Sequence, residues 1–357
     1  MSKMNGAQAL VRQLASEGVD TVFGLPGVQI MAAFDALYEH RDRVRLIHFR
    51  HEQATTYAAF GYAAATGKPG VALVVPGPGA LNATAGLGTA YAASKPVLLL
   101  SGQIPSDLLG KKQGHLHEVD DQLDVFRPIT KWAHRVTRVG EIPEAVHEAF
   151  RHLKTGRPRP VELEIPPDTM LAEGDADIIE PEGYAKPSGD PAALDRAAKL
   201  LASSKHPLII AGTGVVEADA SPELLAVAEH LQAPILSSRG AKGTLPANHY
   251  LYAGAHYYVA DHWQKLVSES DAVLAVGTRL LLSNVKFPPG RKIVHIDIDP
   301  EQIGRTHPVE VAIEADAKPA LAALFDRLKR AEKPRPSRRE EFERRKRDIR
   351  KSVRKLA

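Results

Sequence analysis

Short apolar runs alternating with helix-patterned stretches constrain this chain more than any other feature. In the first 170 residues the runs are TVFGL (21–25), VRLIHF (44–49), GVALVV (70–75), PVLLLSG (96–102) and PVELEIP (160–166), with helical patterns at 5–18, 28–40, 52–66 and 79–93. Nearly continuous apolar strands between helices predict a parallel sheet covered on both faces. After the polar stretch AEGDADIIEPEGYAKPSGDP (172–191) a second series begins: PLIIAG (207–212), APILSS (233–238), AVLAVG (272–277) and KIVHIDID (292–299), then a helical pattern near 317–331. The expected fold class is α/β with two doubly wound parallel-sheet domains. Their expected limits are 1–170 and 190–330, with a linker at 171–189 and a basic connector tail at 331–357.

With 357 residues and 44% apolar content the chain can fill two cores. It has no cysteine, which excludes disulfides and thiolate metal sites. No run approaches the ~18 apolar residues of a membrane span, so a cytoplasmic protein without membrane contact is expected. The net charge of +3 conceals an asymmetry: residues 327–357 carry 15 Lys/Arg against 5 Asp/Glu, leaving the remainder acidic. Phe342, Ile349, Val353 and Leu356 form a thin apolar stripe on that tail, as on a solvated connector helix. Phe342 is the tail's only aromatic residue, so its charges lack the aromatic interleaving of a nucleic-acid surface, which argues against nucleic acid as a partner.

Generic motifs are sparse. GTG (212–214) follows a strand but Val215-Val216-Glu217 does not complete a dinucleotide fingerprint, which leaves a nicotinamide oxidoreductase poorly supported. His115 and His117 lie near Glu118, Asp120 and Asp121 without the spacing of a metal site, so no metal ligand is assigned. PGPGALNA (76–83) is more specific: two glycines permit close backbone approach, two prolines stiffen it, and Asn82 lines the next helix. HFRHEQATTYAAFGY (48–62) places Glu52 at a strand-to-helix turn, where a carboxylate suits the helix dipole whether or not it has chemistry to perform.

Taken together, FGLPG (23–27), RHEQATTYAAFGYAAATG (50–67), PGPGALNATAGLGTAY (76–91) and PVLLLSGQ (96–103) occur in order, each at a strand end. Ligands of doubly wound sheets gather at the carboxyl ends of strands. These motifs, with RPITKWAHRV (127–136) and GRPRPVELEIP (156–166), closely resemble the pyrimidine-binding domain of thiamine diphosphate enzymes of the acetolactate synthase and benzaldehyde lyase group. SRGAKGTLPANH (238–249), DAVLAVGTRL (271–280) and KIVHIDIDPEQIG (292–304) resemble the same family's Rossmann-like central domain.

The resemblance implies that Glu52 activates the cofactor by hydrogen-bonding N1′ of its aminopyrimidine. Pro26, Gly27, Pro76, Gly77 and Asn82 match the loops around the pyrimidine end, and Gln29 and His117 match substrate-facing positions. A small 2-keto acid or aldehyde is the implied substrate. LHEVDDQ (116–122) differs from the Phe-Gln-Glu wording of acetolactate synthases, so decarboxylase, carboligase and hydroxyacyl-CoA lyase chemistries stay open. Asp297 and Asp299 match the position where relatives bind the adenosine part of FAD or ADP, although HYYVADH (256–262) departs from the flavin-contact wording.

Family members clamp the cofactor's diphosphate through Mg²⁺ in a third domain marked by Gly-Asp-Gly, which this sequence lacks. Two expectations follow from the resemblance. One is the large part of a split enzyme, active only with a separate diphosphate-binding subunit, so that a homo-oligomer or a partner chain carrying that domain is expected. The other is a catalytically silent truncated paralogue, or a scaffold that pairs with full-length relatives. Ala54, Ala58, Gly61 and Ala65 form a small-residue stripe on which another helix could pack.

Overall fold

The computed structural model describes residues 2–255, 260–281 and 286–354. They divide into two compact units, Met1–Tyr184 and Ala185–Ala357. The side chains of HYYVADH (256–262), Val353 and Leu356 lie outside the described residues.

In the first unit β1 (Ser2–Asn5) leads into α1 (Gly6–Ser16), whose start is fixed by reciprocal Asn5–Gln8 hydrogen bonds. Six further strands follow: β2 (Thr21–Gly24), β3 (Arg45–His48), β4 (Gly70–Val74), β5 (Val97–Gly102), β6 (Trp132–Arg135) and β7 (Val161–Ile165). All six are parallel, in the order β3-β2-β4-β5-β7-β6. The crossovers include α2 (Met31–Glu39), α3 (Glu52–Thr66), α4 (Pro78–Ala93), α5 (Gln122–Phe126) and α6 (Ile142–Lys154).

Every residue of β4, β5 and β7 is buried, because helices cover both faces of the sheet. One face packs Leu10, Leu14, Leu37 and Phe150 from α1, α2 and α6. The other packs Ala59, Ala63, Ala83, Leu87 and Phe126 from α3, α4 and α5. The small residues of α3 and α4 let these two helices lie close together.

A short helix α7 (Pro167–Leu171) ends the series, and β8 (Glu173–Ala176) returns antiparallel to β1. Ile179 then exchanges two hydrogen bonds with the Gln13 side chain of α1. Part of the polar stretch read as a linker is thus tied to the first unit, by backbone pairing that composition does not reveal.

The second unit contains α8 (Pro191–Ser203), β9 (Pro207–Ala211), α9 (Thr213–Glu217), α10 (Ser221–Leu231), β10 (Ile235–Ser237), β11 (Tyr252–Ala255) and α11 (Ala260–Glu269). It continues with β12 (Ala272–Val276), β13 (Lys292–Asp297), β14 (Val311–Glu314), α12 (Ala317–Ala331) and α13 (Arg339–Arg354). Its parallel sheet runs β11-β10-β9-β12-β13-β14, the strand order of dinucleotide-binding folds. The edge strands β11 and β14 are short, and β14 is buried only on alternate residues, so neither stood out in the sequence.

The tail differs from a solvated connector. Phe342 of α13 is buried in the second unit's core, Arg345 bridges to Glu269 at 2.7 Å, and Lys346 Nζ donates to the carbonyls of Ala247 and His249. No described helix is long and apolar enough to cross a membrane.

Candidate functional site at the switch point of the first sheet

The first sheet's strand order reverses between β2 and β4, where adjacent crossovers leave in opposite directions and open a crevice. FGLPG leaves β2 here and PGPG leaves β4. Leu25 N donates to Leu73 O, and a Cβ on Gly27 would stand 2.3 Å from Val75 Cγ1. The two loops therefore touch, and glycine at 27 is required by that approach. Pro26 is exposed at the rim, whereas Pro76 and Gly77 are buried. Pro76 and Gln29 both line Gly102 at the end of β5: a Cβ there would meet Pro76 Cδ at 2.8 Å and Gln29 Cβ at 3.6 Å.

Glu52 is the first residue of α3, after His51, whose ring accepts a hydrogen bond from Gln53 N. It is half-buried, and its Oε2 accepts from Asn82 Nδ2 at 3.0 Å. Oε1 points toward Gly79, where a Cβ would stand 3.3 Å away. Asn82 lies one turn into α4, a helix that begins at Pro78 after Gly77, which has φ +57°. Only glycine adopts that conformation readily, and a Cβ on Gly77 would also meet His117 O at 2.5 Å. His117 itself has φ +73°, and its Nδ1 is buried with no hydrogen-bond partner in the described structure.

Pro26, Gly27, Gln29, Glu52, Pro76, Gly77, Asn82 and His117 thus belong to loops and helix starts gathered at the carboxyl ends of β2 to β5. A half-buried carboxylate whose one oxygen is held by the Asn82 amide can share a proton with a ring nitrogen at its other oxygen. An aminopyrimidine presents such a nitrogen, so the donor set fits that ring.

Asp297 and Asp299 are not part of this grouping. Asp297 ends β13 and accepts from Asp299 N at 3.0 Å, while Asp299 accepts from Glu301 N at 3.1 Å. The GTG loop in the second unit packs on its neighbour: Cβ atoms on Gly212 and Gly214 would stand 2.0 Å from Gly277 O and 2.7 Å from Gly277 Cα. Those glycines allow two loops to meet. Among the described residues no group of three or more His, Asp or Glu side chains is placed to hold a metal ion.

Sequence reasoning missed the layer beneath the site. Gln122 Oε1 accepts from Gly77 N at 2.8 Å, and the β7 residues Glu162 and Glu164 are wholly buried. Burial pushes Glu162 well above the usual carboxylate range, and it raises Glu164 against the pull of Arg135. The available signal was the pair of acids in the otherwise apolar PVELEIP.

The chain belongs to the thiamine pyrophosphate enzyme family. Residues 4–125 match the thiamine pyrophosphate enzyme N-terminal TPP binding domain, and residues 194–324 match the same family's central domain. Among curated relatives, a probable acetolactate synthase large subunit of Methanocaldococcus jannaschii is 39% identical over 342 residues, covering 91% of this chain and 56% of the relative. A probable 2-ketoarginine decarboxylase AruI of Pseudomonas aeruginosa is 38% identical over 332 residues, 91% of this chain and 58% of the relative. A glyoxylate carboligase of Escherichia coli O157:H7 is 34% identical over 339 residues, with 91% and 56% covered. The chain therefore spans somewhat more than half the length of these relatives.

Proposed function

We propose that this chain is the pyrimidine-binding and central part of a thiamine diphosphate-dependent decarboxylase or carboligase acting on a small 2-keto acid or aldehyde. The observation that carries the reading is the Glu52–Asn82 pair at the switch point, with Oε1 facing Gly79. When bound, the cofactor supplies the carbon nucleophile and the electron sink. Glu52 holds and returns the proton at the ring nitrogen, acting as a general acid–base group. Asn82 orients that carboxylate by donating to its other oxygen. Gly27, Gly77 and Gly79 let the loops around the ring pack against Val75 and His117, and Pro26 and Pro76 stiffen them. Gln29 and His117 face the substrate.

The diphosphate and its Mg²⁺ need a clamp that the described residues do not assemble. We assign it to a diphosphate-binding module. Ala54, Gly61 and Ala65 of the α3 stripe are exposed and Ala58 is half-buried, which supports self-association because small residues admit close helix packing. An adenine nucleotide at Asp297 and Asp299 has less support, since both carboxylates already bind backbone N–H groups. The competing reading is a catalytically silent scaffold that pairs with full-length relatives.

Co-expression with a diphosphate-binding module, followed by a decarboxylation assay on pyruvate and larger 2-keto acids, tests the reading. Wild type should turn over and Glu52→Gln should not. Full turnover by Glu52→Gln would overturn the role of the carboxylate, and a paired complex without turnover on any 2-keto acid or aldehyde would favour the scaffold. By calorimetry the chain alone should bind thiamine diphosphate–Mg²⁺ weakly or not at all.

A further inference from the structure

The buried polar layer beneath the switch point has no role in the chemistry above. β7 lies wholly inside the sheet, yet Glu162 and Glu164 stand two residues apart and so share a face. Buried carboxylates are tolerated only when paired and hydrogen-bonded. Ser101 Oγ donates to Glu162 Oε1 at 2.6 Å, and Gln103 Nε2 donates to Glu164 Oε1 at 3.2 Å. Arg135 bonds Glu164 and also Asp121, the latter at 2.8 Å. Glu162 Oε2 has no partner in the described structure. A single guanidinium reaches two of these three carboxylates, which fits a Glu162/Glu164 pair that retains one proton.

Gln122 joins this pair to the site. Its Nε2 faces Glu164 Oε2 at 2.9 Å, Ser101 Oγ at 3.0 Å and Gly102 O at 3.1 Å. Acceptors crowd one side of the amide, so its oxygen must face the other way, toward Gly77 N. That N–H belongs to the left-handed residue from which α4 starts.

We propose that Gln122 is a positioning residue: anchored by the Glu162/Glu164 pair, it holds the Gly77 turn and so sets where α4 carries Asn82 against Glu52. The link from Gly77 to Glu52 rests on the cofactor reading above, whereas the tether itself does not.

Amide exchange read by mass spectrometry on the full chain tests the tether without ligand. Gln122→Met keeps the side chain's approximate volume and removes its hydrogen bonds. Exchange in a peptide spanning 75–84 should rise about five- to tenfold, the loss expected for one buried hydrogen bond, while α6 and the second unit keep wild-type rates. Unchanged exchange at 75–84 overturns the proposal, and so does a uniform rise across the first unit, which would mark a purely structural residue. Glu164→Gln should raise the same peptide's exchange and decides the matter if Gln122→Met does not fold. Glu162→Gln should leave it unchanged, and a rise as large as that of Gln122→Met overturns the shared proton.

The site is read separately with 4-amino-5-hydroxymethyl-2-methylpyrimidine, the ring portion of the cofactor, by saturation-transfer NMR. Transfer should be seen in wild type, be several-fold weaker in Gln122→Met and vanish in Glu52→Gln. No transfer in wild type overturns the cofactor reading, with the exchange result still deciding the tether. Equal transfer in wild type and Gln122→Met overturns the positioning inference alone.

Discussion

Replacing Gly86 by alanine should damage the first unit far more than one methyl group suggests. The new Cβ would stand 2.3 Å from Thr56 Oγ1, 2.7 Å from Thr56 Cβ and 2.8 Å from Tyr57 N, where ordinary contact begins at 3.4 Å. Thr56 cannot easily swing away. Its branched Cβ restricts χ1, it is fully buried, and its hydroxyl donates to Ala83 O at 3.0 Å across the helix pair. The helices must therefore part by about 1 Å, an overpacking cost of about 1–3 kcal/mol. Losing the Thr56–Ala83 hydrogen bond adds about 1 kcal/mol, so a loss of roughly 2–4 kcal/mol is expected. Gly88 lies in the same helix with nothing within 4 Å of its would-be Cβ. Gly88→Ala should accordingly be neutral or stabilise by up to about 1 kcal/mol, as helix-interior Gly→Ala changes do.

Urea unfolding can follow this unit by itself. The chain's two tryptophans are Trp132 in the first unit and Trp263 in the second, so a Trp263→Phe background leaves Trp132 as the reporter. With an m-value of about 2 kcal/mol/M, the Gly86→Ala midpoint should drop by about 1–2 M. A loss below about 0.5 kcal/mol, or equal behaviour of the two alanine variants, would refute the packing argument.

Asn82→Ala removes the donor to Glu52 Oε2 at an exposed position, so stability should change by less than about 1 kcal/mol. Steady-state turnover of the completed enzyme should nevertheless fall about tenfold or more, because the carboxylate loses its orientation. Asp271 accepts hydrogen bonds from Ser204 Oγ, Lys205 N and His206 N. Although burial opposes its ionisation, these bonds hold its pKa down to about 2. A depressed carboxyl contributes stability above its unfolded pKa and loses it as pH falls through the folded value. Acid titration followed by Trp263 should therefore show the second unit losing about 1–2 kcal/mol between pH 4 and 2, after discounting for solvent screening, and Asp271→Asn should flatten that slope. Glu17, nearly inaccessible, bridges His147 Nδ1 and Lys154 Nζ, each at 2.7 Å. Glu17→Gln should cost the first unit about 3 kcal/mol in urea unfolding.

Strands wrapped on both faces were the easiest elements to read, because their apolar runs need no knowledge of what packs on them. GVALVV, PVLLLSG and PLIIAG became β4, β5 and β9 almost residue for residue. Elements defined by a neighbour were not legible in that way. β6, with Trp132 and Arg135 half-buried, is a strand because it pairs with β7, and β8 is one because β1 lies beside it. Phe342 looked like part of a thin stripe on a basic rod, yet it fills a place in the second unit's core. At the candidate site, Glu52 and the PGPG turn could be picked out, but Gln122 could not: it is 45 residues from Gly77 and carries no motif.

The sequence by itself determined the alternation of strand and helix, hence parallel sheets, since periodicity and burial are set locally. It also placed Pro26, Glu52, Pro76 and Asn82 at strand ends, where a doubly wound sheet gathers ligands. Only the tertiary structure decided that Asn82 reaches Glu52, that Gly79 lies beside that carboxylate, and that two buried acids lie under the Gly77 turn. Each of these depends on strands far apart in sequence lying side by side, and distance in space is the one quantity a residue pattern does not contain.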